Sequence, residues 1–296
     1  MSSKTFTVPP ILGCLKAAEE YLRDEIGWND RKVQWAGISH IQNEFVDAFA
    51  SCIPEVDAIQ DILTRIAHKD HTVINKWLRD HGFNIQLEGP SDDQTFAVAS
   101  ILDVLVKWQK KGLKTTVEHL GSTYPAVKLK DNQGVVIMTG KGSNPIAAIQ
   151  TQGKDKVFMT IVDEEPADAM AIVKLIQSLL DGVRPDSSYD SVVFPMVDYD
   201  QKVDISWLQG LQTGTSMSDW RITEALQQTI FRMNEVGARS KSAASMMMSK
   251  GRCIEPPKET FIINRPFLLW IKRKGISMPL FAGVFGTDCW KEPESL

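Results

Sequence analysis

Cysteine and long apolar runs are scarce in this sequence. The four cysteines, Cys14, Cys52, Cys253 and Cys289, show no CxxC spacing and are too few for a disulfide-stabilised scaffold in 296 residues. No apolar run approaches a membrane span, no signal-peptide pattern opens the chain, and no Asn-x-Ser/Thr site occurs. These absences predict a soluble protein with reduced thiols. We expect a cytoplasmic or other intracellular location, with secretion left open.

An overall excess of positive charge is also missing. The formal net charge is −4, which gives no general case for nucleic-acid binding. The charge is uneven, however, because residues 237–275 hold nine Lys or Arg against Glu255 and Glu259, which makes that segment +7 and the remainder −11. A solvated loop and turn explains this segment, and a site for a polyanion is the alternative.

Complete catalytic and metal-binding motifs are lacking as well. TGKGSNP, residues 139–145, has glycines and a lysine without the Walker spacing, so it predicts a turn. His68 and His71 could share a helix face, but no third ligand is identifiable nearby. No hydrolase triad can be assembled from the other histidines. We therefore expect no enzyme, no cofactor and no metal site.

Helical periodicity is present in three stretches. Apolar residues recur at helical spacing from Ile11 to Ile26, and again in HTVINKWLRDHG, residues 71–82. EEPADAMAIVKLIQSLLDG, residues 164–182, predicts a helix with Pro166 in its first turn. These three stretches predict amphipathic helices.

Strand-like stretches lie among and after these helices. The clearest is RPFLLWIKRKGISMPLFAGVF, residues 265–285, which predicts two buried strands around a turn. Helices and strands alternate without a regular βαβ rhythm, and no linker divides the chain. The prediction is one α+β domain over residues 1–296.

The stretch NEVGARSKSAASMMMSKGR, residues 234–252, has an unusual alternation. Buried strands normally use Val, Ile or aromatic residues, and this stretch has none before its methionines. Small residues instead alternate with Arg239 and Lys241, which gives the period of two that a one-sided strand needs. The small residues are Ala238, Ser240, Ser242 and Ala244. The pattern is typical of a strand that is not always in its sheet.

Five motifs in order resemble the serpin family, the serine protease inhibitor fold. RMNEVGARSKSAAS resembles the hinge that precedes the serpin reactive-centre loop, and FIINRPFLLWI with PLFAGVF resembles the paired strands that end the fold. VINKWLRD followed by TFAVASILDVLVKW resembles a serpin helix and its central strand, and VDYDQKVDISWLQGLQ and ITEALQQTIFRMNE fit the order that leads to the hinge. The resemblance covers residues 75–285, and the first 72 residues form a divergent helical part.

The resemblance implies an α+β fold with a large central, mostly antiparallel sheet, peripheral helices and an exposed reactive-centre loop at residues 237–260. The implied reactive bond joins Arg252 to Cys253; counting forward from the hinge gives Gly251 instead, with Lys250 as a secondary bait. The implied hinge comprises Glu235, Gly237, Ala238, Ser240, Ser242 and Ala244. The implied region where the sheet opens comprises Trp108, Ser100 and Gln227.

Two functions remain open at this stage. An arginine before the reactive bond suits the acidic specificity pocket of trypsin-like proteases, so the resemblance implies an inhibitor that is cleaved, inserts its loop and traps the protease covalently. Ser100 and Gln227 replace the Asn and His that the family usually has there, and the N-terminal part is short. These departures favour the alternative, a non-inhibitory binding or structural protein, possibly viral, with a vestigial loop.

Overall fold

The structure is a computed structural model that describes residues 1–28, 33–88, 95–104, 106–140, 144–214, 220–237 and 258–294. Within these ranges the α-helices are α1 (Val8–Asp24), α2 (His40–Phe49), α3 (His71–Asp80) and α4 (Ala169–Leu179), and residues Ala50–Ile59 form a 3₁₀ helix. The strands are β1 (Lys4–Phe6), β2 (Leu63–His68), β3 (Ala97–Leu102), β4 (Leu113–His119), β5 (Ser122–Lys130), β6 (Val135–Thr139), β7 (Ile146–Gln150), β8 (Asp155–Ile161), β9 (Arg184–Pro185), β10 (Tyr189–Pro195), β11 (Val197–Val203), β12 (Gln227–Met233), β13 (Glu259–Ile262), β14 (Phe267–Arg273) and β15 (Phe281–Phe285).

The three helices predicted from periodicity are present, with one correction. α1 and α3 lie where the apolar spacing predicted them. α4 begins after Asp168, whose carboxylate accepts a hydrogen bond from the Ala171 backbone N–H at 2.8 Å. Pro166 therefore precedes the helix and is not in its first turn, because the side-chain cap of Asp168 satisfies the free N–H groups and fixes the start.

The largest sheet has seven strands in the order β1-β15-β14-β8-β7-β6-β9 and is antiparallel throughout. The predicted pair of C-terminal strands is confirmed, since Phe267 of β14 lies opposite Phe285 of β15. Nearly every residue of both strands is buried, which explains their continuous apolar sequences. β1 pairs with β15, so the N-terminal part, predicted as helical, also contributes a strand to the main sheet.

A buried group of charges fixes the end of this sheet. The Arg273 guanidinium donates to both carboxylate oxygens of Asp155, at 2.7 and 3.1 Å, and to Asp61 at 2.8 Å. The Asp155 hydrogen bond raises the pKa of Arg273. Arg265 is likewise paired with Asp163 at 2.7 Å. Two of the cations that made residues 237–275 basic are thus engaged by carboxylates within the fold.

Three smaller sheets complete the β-structure of the described residues. One has four strands in the order β13-β10-β5-β4, and the other two are the antiparallel pairs β2–β3 and β11–β12. α1 packs across β3 so closely that a Cβ on Gly13 would lie 2.2 Å from the Ser100 Oγ. On the other face of β3, Ala99 and Ile101 form a small apolar cluster with Ile74 and Leu78 of α3.

Candidate functional site

The chain reverses direction directly after β12. The Gly237 N–H donates to the Asn234 carbonyl oxygen at 3.3 Å, and the Val236 N–H donates to the Asn234 side-chain oxygen at 2.8 Å. Asn234 and Gly237 form an antiparallel bridge, and Gly237 forms a second antiparallel bridge with Lys107, five residues beyond the end of β3 (102 to 107). The turn therefore leaves Gly237 between the continuations of two strands.

Gly237 cannot be replaced without strain. Its φ is +82°, a region that residues with a side chain rarely adopt. A Cβ at this position would lie 2.5 Å from the Trp108 backbone nitrogen and 2.8 Å from the Lys107 Cα, which are atoms of a fixed chain. Both the turn and the close approach to Lys107 require glycine.

Trp108 anchors the turn through a buried hydrogen bond. The side chain is 2% exposed, its Nε1–H donates to the Asn234 carbonyl oxygen at 2.9 Å, and its ring packs edge-on against Phe194 at 5.7 Å. The structure thus brings Trp108 to the hinge turn.

Glu235, which the sequence placed in the hinge, is buried at 5% exposure. Its carbonyl oxygen accepts from the Gly112 N–H at 2.7 Å, and its carboxylate lies 3.3 Å from the Lys111 Nζ and 3.7 Å from the Lys114 Nζ. The sequence alone did not single out these two lysines. The basic run KKGLK, residues 110–114, was the signal that could have identified them.

Beyond the turn, β3 and β12 each present an unpaired edge. Within the described residues, β3 pairs only with β2 and β12 pairs only with β11. The two strands wall a cavity of about 210 Å³. The cavity is lined by Val98, Ser100 and Leu102 from β3 and by Gln227, Thr229 and Phe231 from β12. We call this space the cleft.

α1 and the segment after α3 line the two other sides of the cleft. Ile11, Cys14 and Leu15 of α1 form the floor. Residues 83–88, which we call the roof segment, follow α3 and contribute Phe83, Ile85 and Leu87 to the opposite side.

Side-chain hydrogen bonds tie the roof segment across the cleft. Asn75 of α3 exchanges two hydrogen bonds with the Leu87 backbone, at 2.9 and 2.8 Å. On the β12 side, the Asn84 N–H donates to the Gln228 Oε1 at 2.8 Å and the Glu88 N–H donates to a Glu224 carboxylate oxygen at 3.1 Å. The roof segment therefore connects α3 to the β12 edge.

Ser100 and Gln227 line the same cavity. The Ser100 Oγ donates to the Thr64 carbonyl oxygen at 3.1 Å, and the Gln227 Nε2 donates to the Thr7 carbonyl oxygen at 3.0 Å. Cys14 faces the same space, and burial raises the pKa of its thiol to about 12, although a hydrogen bond from the Ser100 backbone opposes the shift. The Cys14 thiol is therefore neutral at physiological pH.

Several predicted site residues lie outside the described residues. These are Ala238, Ser240, Ser242 and Ala244 of the hinge, and Lys250, Gly251, Arg252 and Cys253 around the reactive bond.

The pair of histidines considered as metal ligands does not share a helix face. His68 ends β2 and its Nδ1 accepts from the Asp70 N–H at 2.9 Å, whereas His71 begins α3. The described parts of the chain contain no group of three side chains placed to hold a metal ion. No helix in those parts combines the length and the apolar character needed to cross a membrane.

Comparison with known proteins agrees with this architecture. A family model described as Serpin (serine protease inhibitor) matches residues 200–286. Mouse (Mus musculus) antithrombin-III is 29% identical over 84 residues, which is 28% of this chain and 18% of antithrombin-III. The matched segment is thus a small part of that relative.

Solved structures extend the likeness in fold to almost the whole chain. Serpin48 of the insect Tenebrio molitor, described as a highly specific serpin, aligns with a TM-score of 0.55 at 13% identity and covers 96% of this chain and 92% of that one. Mouse protein Z-dependent protease inhibitor aligns at 0.51 and 15% identity, covering 96% and 91%. Thyroxine-binding globulin in complex with thyroxine aligns at 0.54 and 11% identity, covering 98% and 94%. The resemblance to the serpin family is thereby confirmed: the chain has the serpin fold and carries serpin sequence over residues 200–286.

Proposed function

We propose that this protein inhibits trypsin-like serine proteases, and that the residues after Gly237 enter the cleft as a new strand once the loop is cut. The observation that carries the proposal is the turn at 234–237, which bridges the ends of both cleft walls. Unpaired strand edges are templates for an added strand, because their free N–H and C=O groups form a ladder with it. The cleft offers two such edges to one segment.

The register of the two bridges predicts the neighbours of each inserted residue. Counting seven residues away from the bridges along each strand gives Ser100 from Lys107, Gln227 from Asn234 and Ala244 from Gly237. Ala244 would therefore lie between Ser100 and Gln227. Since the Ser100 Oγ lies against Gly13 of α1 and the Gln227 Nε2 donates to the carbonyl oxygen of Thr7, directly before α1, Ala244 would face α1, and so would the small residues at alternate positions before it.

The outward-facing positions fit the cleft in the same register. Lys241, four residues after Gly237, would lie beside Asp103, an exposed carboxylate four residues before Lys107 at the end of the β3 wall. Ala243 would lie beside Ile101, which packs with the α3 cluster and with Ile85 of the roof segment. The outward-facing residue is thus charged at position 241, beside an exposed part of β3, and small at position 243, where α3 and the roof segment cover the strand.

The proposed chemistry begins with the protease. Its serine oxygen attacks the carbonyl carbon of Arg252, the bond to the Cys253 nitrogen breaks, and that nitrogen leaves as an amine with the proton from the serine. The Arg252 acyl group remains as an ester on the protease. Insertion of the preceding segment would carry the protease away from its starting position before water hydrolyses this ester. The protein thus acts as an inhibitor rather than an enzyme.

Incubation with trypsin followed by denaturing electrophoresis tests the proposal. We expect an adduct that survives SDS, and a cleaved form that melts at a higher temperature than the intact protein because insertion adds strand hydrogen bonds. Clean cleavage without an adduct would instead favour the non-inhibitory binding protein, the alternative that the departures at Ser100 and Gln227 support.

A pair of hinge variants separates insertion from simple binding. Ala238→Arg would force an unpaired charge toward the buried side and should raise the number of inhibitor molecules consumed per trypsin severalfold. Arg239→Ala changes the outward side and should leave this stoichiometry close to wild type. Equal effects of the two variants would contradict the inserted-strand mechanism.

A further inference from the structure

An apolar row crosses the face of the seven-stranded sheet that is turned away from the cleft. Val136, Ala148 and Phe158, which we call the apolar strip, lie directly opposite one another on β6, β7 and β8, so their side chains share one face. Val136 is 46% exposed, and the other two are partly exposed. In β14 the row continues into Trp270, which is buried and stacks on Phe158 with 5.1 Å between the ring centroids. Ile271, the next residue of β14, lines the cleft, which places the row on the opposite face.

Two lysines lie beside the apolar strip on the same face. Lys156 of β8 lies directly opposite Lys272 of β14, and each is two residues from a member of the stacked Phe158–Trp270 pair. Like charges directly opposite each other destabilise a sheet. Within the residues that the structure describes, neither ammonium group has an ion pair or a hydrogen bond. The neighbouring Arg273, by contrast, is held by two carboxylates, so the lysine pair is the charge on this edge that the fold leaves unbalanced.

An anion between the two ammonium groups would remove this repulsion. Directly opposite residues of a sheet have Cβ atoms about 5 Å apart, so both lysine side chains can reach one carboxylate. The apolar strip extends from this position across two strand spacings, about 10 Å in total. A polyanion would contact the lysines and leave the strip in water, whereas a carboxylate with an apolar tail would cover both. The arrangement therefore favours an amphiphilic anion over a polyanion.

We propose that this face binds medium-chain carboxylates, with the carboxylate between Lys156 and Lys272 and the alkyl chain along the apolar strip toward Val136. Burial of each methylene group on the strip would add to the affinity, and the two lysines would fix the position of the head group. The site lies outside the cleft and uses none of the residues after the hinge turn except Lys272 and Trp270 of β14. It does not depend on the inhibitory function, and either proposal can fail alone.

Calorimetric titration of the intact protein with decanoate tests the site, at decanoate concentrations at which no micelles form. Decanol keeps the chain and lacks the charge, whereas acetate keeps the charge and lacks the chain. We expect decanoate to bind about tenfold more tightly than decanol, because only the carboxylate can bond to two ammonium groups, and acetate to show no detectable binding. Equal affinity for decanoate and decanol, or for decanoate and acetate, would overturn the proposal, and so would the absence of decanoate binding.

Two lysine variants locate the head group. Lys156→Met and Lys272→Met keep most of the apolar stem and remove one ammonium group each, so each should weaken decanoate binding about fivefold and leave decanol within about twofold. Lys202→Met is the matched control, because Lys202 of β11 is also exposed and lies in a different sheet. It should bind decanoate like the wild type. An equal loss in all three variants would indicate nonspecific attraction by surface charge, and unchanged binding in both site variants would place the head group elsewhere; either result would overturn the proposal.

A charge reversal tests the repulsion itself. Lys156→Glu places a carboxylate directly opposite Lys272, so the melting temperature without ligand should rise by about 1–2 °C while decanoate binding is lost. Lys156→Met should give a smaller rise, since it removes the repulsion without adding attraction. A melting temperature that falls or stays unchanged in both variants would show that the two lysines do not repel each other. The reason to place an anion between them would then be gone, and the proposal with it.

Discussion

The strands of the seven-stranded sheet and the strands of the cleft differ in how many of their edges are hydrogen-bonded. In the sheet, β14 lies between β15 and β8, and both of its edges are hydrogen-bonded. In the cleft, β3 and β12 each have one bonded edge and one edge that faces an open space. The interior strands of the sheet are thus paired on both sides, whereas within the described residues β3 and β12 retain unused pairing capacity on the side that faces the cleft. If the loop inserts as we propose, the added strand would pair with both of these edges at once, which the single free edge of β1 or of β9 would not allow.

Truncation of a phenylalanine in each region gives the largest expected contrast. Phe267 is fully buried in the seven-stranded sheet, so Phe267→Ala should lower the free energy of unfolding by about 3–5 kcal/mol. Phe231 is partly buried and borders the cleft, although its ring stacks on Phe281 at 4.6 Å. Phe231→Ala should cost about 1–2 kcal/mol less, because part of the lost contact faces existing space.

Denaturant unfolding of the intact protein measures both losses. A cost for Phe231→Ala that equals or exceeds the cost for Phe267→Ala would mean that the cleft is as tightly packed as the sheet. The distinction between the two regions would then fail.

Local sequence patterns predicted much of the seven-stranded sheet and little of the cleft. The paired strands at 265–285 are close in sequence, and their continuous apolar runs left few other structures possible. Pairing of Leu63 with Leu102 and of Val203 with Gln227 joins residues far apart in the chain, and no local pattern encodes which edges then stay open. The hydrogen bond from the Gln227 Nε2 to the Thr7 carbonyl oxygen likewise depends on packing between α1 and β12, which the periodicity of the sequence does not predict.

The start of α4 shows why local signals can compete. EEPADA offers Pro166 for a first turn and Asp168 for a cap, and both are good helix starts. The structure uses the Asp168 cap. The sequence therefore predicted the helix correctly, but its first residue was decided by a hydrogen bond.

Two glycines with similar backbone angles give a smaller, sharper contrast. Gly237 in the hinge turn has a φ of +82°, and Gly275 in the turn after β14 has a φ of +89°. Substitution by alanine imposes the same left-handed strain at both positions, about 1 kcal/mol. Only Gly237→Ala adds a collision, since its Cβ would meet the Trp108 nitrogen at 2.5 Å whereas nothing lies within 4 Å of a Cβ at Gly275.

We therefore expect Gly237→Ala to cost about 1–2 kcal/mol more than Gly275→Ala, with the hinge turn displaced from Lys107. Thermal unfolding of the two variants measures the difference. Hydrogen exchange of the Gly112 N–H, which bonds to the Glu235 carbonyl oxygen at 2.7 Å, should accelerate only in Gly237→Ala. Equal losses in the two variants would show that the bridge to Lys107 contributes nothing to the folded state.

The prediction with the smallest expected effect compares how readily the cleft and the seven-stranded sheet open in the folded protein. Cys14 faces the cleft and Cys289 is buried beside the seven-stranded sheet, and burial raises the pKa of both thiols to about 12. Because a folded-state pKa above the ordinary value of about 8.5 favours the protonated thiol, this contribution to stability is complete below pH 8.5 and is lost as the pH rises toward 12. At pH 8 both thiols should therefore resist iodoacetamide in the native protein.

Residual labelling of Cys14 requires only local separation of α1 from β3, whereas labelling of Cys289 requires much of the sheet to open. Mass spectrometry over a series of low urea concentrations should show a weaker urea dependence for Cys14 than for Cys289, and identical dependences would mean that the cleft opens only when the whole protein unfolds.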